Sequence, residues 1–137
     1  MKCWKKRGLG GHKLLAFANA KPSNLAEVKA AINLFGGLYI GVALPVTAQT
    51  QNVWELVSKT GAGAPGSWGG HCVYVTGYDA SGFTCITWGQ LKKMTVAFWN
   101  AYVDEAHALL SPDWLGVKGT PNGFNLAQLV SDLAQIK

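Results

Sequence analysis

Gly69-Gly70-His71-Cys72-Val73-Tyr74-Val75-Thr76-Gly77-Tyr78, then Asp79-Ala80-Ser81-Gly82, then Phe83-Thr84-Cys85-Ile86-Thr87-Trp88-Gly89 is the stretch that decides the fold. Two β-branched and aromatic runs, His71 to Tyr78 and Phe83 to Trp88, flank a tetrapeptide rich in turn formers, which predicts a β-hairpin. Pairing Tyr78 with Phe83 across the loop sets Val75 opposite Ile86, Val73 opposite Trp88 and His71 opposite Gln90. By the period-two pleat, these six residues from His71 to Gln90 then share one face, and Thr87 and Cys85 point away from it.

Outward from the hairpin, the signals continue to alternate between strand and helix. Lys13 to Ala18 is a short apolar stretch of strand length. Asn24 and Glu27 form a capping-box pair ahead of Leu25, Val28, Ile32 and Phe35 at helical spacing, and Gly36-Gly37 stops that helix. Leu38 to Leu44 alternates with one strongly apolar face and predicts a strand. Val53 to Ser58 suggests a helical turn, and Ala62 to Gly70 a flexible exposed loop. Thr95 caps a short helix through Tyr102, Glu105 to Leu110 reads as a strand, and Asn125 and Gln128 open a C-terminal helix. That last helix is amphipathic through Leu126, Leu129, Val130, Leu133 and Ile136. This order predicts an α+β fold with an antiparallel β-sheet, in a single domain over 1–137 with a basic segment at 1–13.

Composition removes several classes of function. Of 137 residues, 49% are hydrophobic and 14% charged, the reverse of a disordered chain. No apolar run approaches the roughly 18 residues of a membrane-spanning helix, so no membrane partner is expected. The basic start runs into Gly8-Leu9-Gly10-Gly11 rather than an apolar stretch, which argues against a signal peptide. The net charge of +5 sits entirely in Lys2, Lys5, Lys6, Arg7 and Lys13, and beyond them seven Lys and Arg balance seven Asp and Glu. A neutral body argues against nucleic acid as a partner. Three unpaired cysteines, Cys3, Cys72 and Cys85, suit a reducing, cytoplasmic setting. His12, His71 and His107 are too scattered to predict a metal site, and no cofactor is expected.

Gly61-Ala62-Gly63-Ala64-Pro65-Gly66 matches the glycine string of dinucleotide sites, but it leads into a strand rather than a helix N-terminus. Nothing would then aim N–H groups at a pyrophosphate.

Gly70-His71 through Gly77-Tyr78, followed by Ile86-Thr87-Trp88-Gly89, resembles the C-terminal half of papain-like cysteine peptidases. In that family, a histidine strand running to Gly-Tyr pairs with an Asn-Ser-Trp-Gly strand. The helix around Glu27–Phe35 and the strand Leu38–Leu44 resemble the elements before that histidine. Gly-Gly-His and Thr-Trp-Gly, with Met94-Thr95, Phe98-Trp99, Tyr102, Glu105 and Ser111-Pro112-Asp113, are closest to a bacterial and phage-associated branch. The resemblance implies a partial barrel like the family's right-hand lobe, with His71 as general base and Trp88 as its shield. It further implies binding by Trp68, Gly69, Gly70 and Trp88 along the groove.

Two departures shape the functional expectation. Ile86 falls where the family has its orienting Asn, so Gln90 is the candidate orienter of His71, Thr87 being pointed elsewhere by the pleat. The nucleophile is also missing. Cys3-Trp4 lies only 68 residues before His71, against roughly 130–150 in the family. Cys72 and Cys85 face away from His71, and all three cysteines read as small apolar packing residues. The expected function is therefore a non-catalytic papain-like domain that acts by protein binding, for instance a phage-encoded inhibitor of a host system. The alternative is the His-bearing half of a cysteine peptidase or amide hydrolase, completed by a separate Cys-bearing chain. A third reading is a rearranged hydrolase using Cys3 or Cys72. The expected contact is a protein partner or a homo-oligomer through the His71 and Trp88 side.

Overall fold

The computed structural model describes residues 1–114, 123 and 125–135. The chain is α+β: among the described residues, four α-helices accompany a seven-stranded, mostly antiparallel sheet. Helix α1 spans Lys2–Arg7, strand β1 Ala16–Ala20, helix α2 Leu25–Phe35 and strand β2 Leu38–Leu44. The short strand β3 is Val53–Trp54, followed by β4 at Gly69–Tyr78, β5 at Gly82–Thr87 and β6 at Gln90–Thr95. Helix α3 covers Val96–Tyr102, strand β7 Val103–Leu110 and helix α4 Leu126–Gln135. The spatial order is β1-β7-β2-β4-β5-β6-β3, with β3 parallel to β6 and every other pairing antiparallel.

Local chemistry explains why these elements begin where they do. The Asn24 side chain accepts from the Glu27 N–H at 3.3 Å, while the Glu27 carboxylate accepts from the Lys21 N–H at 3.2 Å. The reciprocal arm of the capping box thus lands three residues upstream of its usual target. Thr95 caps α3 through the Phe98 N–H at 3.2 Å, and Asn125 caps α4 through the Gln128 N–H at 3.0 Å. Ile136, expected to continue α4, lies outside the described residues. The first strand begins later than the apolar stretch from Lys13 suggests, because pairing with β7 runs from Ala16 to Ala20. The stretch from Val53 is a strand rather than a helical turn. Trp54 is wholly buried there, and the Gln51 side chain brackets Glu55 through its N–H (2.9 Å) and carbonyl (3.1 Å).

One face of the sheet carries the core. Val28 and Ile32 of α2, and Phe98, Trp99 and Tyr102 of α3, pack with Leu38, Ile40, Val42, Val73, Val75, Phe83, Cys85 and Met94. The outer face presents Tyr39 and Cys72, with Trp4 of α1 set edge-on to Tyr39 at 6.4 Å. The basic N-terminal segment is therefore seated on the protein, and His12 Nδ1 lies within hydrogen-bond distance of the Asp113 carboxylate at 3.0 Å. Among the described residues no helix is long and apolar enough to cross a membrane.

The hairpin departs from simple alternation at one residue. Tyr78 pairs with Phe83 and Gly77 with Thr84, but Val75 pairs with Cys85 and Tyr74 with Ile86. Thr76 is the extra residue of a β-bulge, its hydroxyl 3.3 Å from the Thr84 carbonyl. Beyond the bulge every β5 side chain changes face relative to the expectation. Cys85 and Thr87 turn inward with Val73 and Val75, and Ile86 turns outward to 48% exposure.

Ile40 is fully buried in the central strand β2. Ile40→Ala should therefore destabilise the fold by about 2–5 kcal/mol. A urea unfolding curve should show this as a lower midpoint with an unchanged slope.

Candidate functional site

The bulge brings a polar partner to His71. Thr87 is buried, and its hydroxyl lies 2.7 Å from His71 Nε2. Gln90 does not hold the ring: it is exposed and paired with Thr87, with Trp88 and Gly89 between them as a two-residue turn. Both turn residues have positive φ, 47° and 75°, which is the type I′ geometry of tight hairpins. Trp88 is the sole non-glycine with positive φ among the described residues. A bulky side chain there costs on the order of 1–3 kcal/mol.

Aromatic contacts around Trp88 offset that cost. Its ring lies nearly parallel to the His71 imidazole, with centroids 4.8 Å apart and planes 10° from each other. Trp68 leans on it at 5.5 Å, and the buried Trp54 meets it edge-on at 6.0 Å. Trp54 in turn stacks on Phe98 of α3 at 5.3 Å, which anchors the group to the core. Trp68 and Trp88 keep 40% and 56% of their surface exposed.

The glycine-rich segment before His71 is tied down rather than flexible. Gly66 and Trp68 donate from their N–H groups to the carbonyls of Ala43 and Leu44, each at 3.0 Å. The Ser67 hydroxyl donates to the Ala62 carbonyl and accepts from the Val46 N–H, also at 3.0 Å. The Tyr102 hydroxyl reaches the carbonyls of Ser58 and Gly63 at 2.6 and 2.8 Å. The result is a fixed cleft of about 100 Å³, lined by Leu44, Trp68, Gly69, Gly70, His71 and Trp88. A larger open cavity of about 550 Å³ lies beside Lys21 and Asp104, but its Trp99 N–H is already bonded to the Pro22 carbonyl. No histidine or cysteine lines it.

Partial burial holds the His71 pKa below its ordinary value, so the ring is neutral at pH 7. A neutral imidazole bonded through Nε2 is a competent proton acceptor, but no cysteine stands beside it. Cys72 is exposed on the outer face, where its bond to the Tyr39 hydroxyl is the main cause of that phenol's raised pKa. Cys3 is exposed on α1. Cys85 shares the inner face with His71 but is fully buried, and desolvation pushes its thiol up to about 12. Of the three, Cys85 alone is a packing residue. Among the described residues no hydrogen bond joins a cysteine to His71, and no group of three or more His, Cys, Asp or Glu is placed to hold a metal ion.

Sequence reasoning set Thr87 aside because unbroken alternation points it away from His71, and it missed Trp54. For Trp54 the available signal was a large aromatic in a polar stretch that a helical turn would have left exposed.

In comparison with known proteins, no family model matches the chain, and no curated protein and no solved structure is significantly similar to it.

The imidazole should titrate with a midpoint below 6.5 when followed by NMR of its ring protons. Because the unfolded chain binds this proton more readily, stability should fall as pH drops through 6.5 toward the folded-state midpoint. His71→Gln should remove that part of the acid slope. Thr87→Val should let the ring nitrogens average between tautomers in their nitrogen shifts, whereas Gln90→Ala should leave those shifts unchanged.

Proposed function

We propose that this chain supplies the histidine wall of a thiol-dependent peptidase or amide hydrolase of papain-like design. On this reading His71 takes the proton of a cysteine thiol presented by another polypeptide segment. The carrying observation is the pairing of His71 Nε2 with Thr87 at 2.7 Å beneath the parallel Trp88 ring. The resemblance lacks an Asn at the orienting position, and the Thr87 hydroxyl fills the same role from the next residue. With that oxygen accepting from Nε2–H, Nδ1 is left as the basic nitrogen that takes the thiol proton. The proton would later pass from the imidazolium to the leaving amine, and water would release the acyl group from sulfur.

A second reading, protein binding without catalysis, is favoured by one feature. Trp68 and Trp88 are large and half-exposed beside a cleft whose lining includes no cysteine. Such a wall suits capture of a partner polypeptide, whether or not that partner carries a thiol. A homodimer through the same side is a further form of this reading.

Mixing the chain with a Cys-bearing N-terminal half of a papain-like peptidase tests both readings. In the catalytic reading, iodoacetamide should alkylate one cysteine of that partner rapidly near pH 6–7, well below the ordinary thiol pKa near ~8.5. His71→Ala should abolish the enhancement and lower amide hydrolysis by about 100-fold or more. Thr87→Val should cause a smaller loss with the complex intact. A stable complex whose thiol reactivity is indifferent to His71→Ala would overturn the catalytic reading and leave the binding one.

A further inference from the structure

Among the described residues, the five cations Lys2, Lys5, Lys6, Arg7 and Lys13 make no ion pair, and all five are exposed. Two acids on this side of the molecule are already engaged, Asp113 by His12 and Ser111 and Glu105 by His107. The segment that carries the cations is held in place. Trp4 meets Tyr39 edge-on and donates from its indole N–H to the His12 carbonyl at 3.2 Å. Leu9 and His12 exchange backbone bonds of 2.8 and 3.0 Å around Gly10-Gly11, a two-residue turn with φ of 59° and 87°. A Cβ built on Gly8 would meet Lys13 Cγ at 3.2 Å, so the Lys13 stem lies against the C-terminal end of α1. Helical spacing puts Lys2 and Lys6 on the side of α1 away from Trp4, with Lys5 beside them. The whole net charge is thereby gathered on one held surface, over a body that is neutral.

Such a patch calls for a polyanion, and its apolar neighbours narrow the choice. Leu9 at the turn keeps 66% of its surface exposed, and Leu15, two residues after Lys13, keeps 42%. Either leucine alone is ordinary on a protein surface. Beside unpaired cations they match the boundary between lipid headgroups and acyl chains, which takes charge and hydrocarbon together. A nucleic acid would find no ring to stack on, because Trp4 is committed to Tyr39 and His12. The expectation of no membrane partner rests on the lack of a spanning helix, and a surface contact needs none.

We propose that α1 and the Leu9–His12 turn form a docking surface for an anionic lipid membrane, with the cations on the headgroups and Leu9 at the acyl boundary. This surface is separate from the reading of His71, which looks toward the opposite face of the sheet.

Vesicle co-sedimentation tests it on the full chain, with phosphatidylcholine alone and with an equal mixture of phosphatidylcholine and phosphatidylserine. The chain should bind the mixed vesicles and leave the neutral ones. Raising the salt from about 0.1 M to about 1 M shortens the screening length from about 10 Å to about 3 Å and should release it. Lys5→Gln with Lys6→Gln should weaken binding by about 25-fold, at about 5-fold for each cation. Leu9→Ser should weaken it by about 10-fold. Lys93→Gln, which removes a cation already paired with Asp79, should change it by less than about 2-fold. Equal binding to neutral vesicles, no binding to the mixed ones, indifference to Leu9→Ser, or a loss from Lys93→Gln as large as from the α1 variant would each overturn the proposal. Tighter binding to duplex DNA than to the mixed vesicles would also overturn it and assign the patch to nucleic acid. The lipid dependence of the unaltered chain decides the matter even if a variant proves unstable.

Discussion

A single extra residue in β4, Thr76, determines which side chains of β5 share the core face with His71. Side chains in a strand alternate, so one inserted residue exchanges the two faces of everything beyond it. With the bulge, Phe83, Cys85 and Thr87 face inward and Ile86 faces out. Without it, Ile86 would stand opposite Val75 in the place of Cys85, and Thr87 would point to the face away from His71. The same shift turns Cys85 into the core, where its thiol becomes a weak acid and poor nucleophile. Core packing and the polar contact of the site thus have one origin.

The turn after Thr87 is the second constraint. A two-residue type I′ connection favours Asn-Gly or Gly-Gly, and this chain places Trp88-Gly89 there instead. The left-handed backbone at Trp88 carries a cost that a tryptophan without ring contacts would not recover. Its ring is gripped by His71, Trp68 and Trp54, and Trp54 rests on Phe98 in α3. The strain is sustained by a chain of aromatic contacts running back into the core. The glycine-rich segment is fixed by a different device, backbone bonds to Ala43 and Leu44 at the end of β2. The two walls of the cleft are therefore held independently, one by ring packing and one by hydrogen bonds.

How much of this is legible in the residues depends on the range over which each signal acts. Helix starts at Asn24, Thr95 and Asn125 are read correctly because a cap involves residues only two or three apart. The hairpin loop is also read correctly, since Asp79 bonds the N–H groups of Ser81 and Gly82 within the loop itself. Register beyond the loop is an extrapolation that accumulates, and it fails at Thr76, where Gly77 gives only a weak hint of irregularity. The exchange of Gln90 for Thr87 as partner of His71 follows from that one slip. β3 is illegible for another reason: two residues carry no periodicity, and Trp54 is extended because tertiary contacts bury it.

Charge and burial act on His71 from different sides of the sheet. The cations of α1 belong to the outer face, where Trp4 meets Tyr39, while His71 looks inward toward Thr87. Cations near an imidazole would lower its pKa, but the cause that acts on His71 is desolvation. Trp88 pulls in the opposite direction. Its π-face attracts an imidazolium more strongly than a neutral ring, by about 0.5–2 kcal/mol depending on exposure. Burial lowers the pKa, so the resting ring is neutral and able to accept a proton. The parallel tryptophan keeps the charged form within reach. A proposed base that must take a proton and later return it needs both effects, a neutral resting state and an accessible charged one.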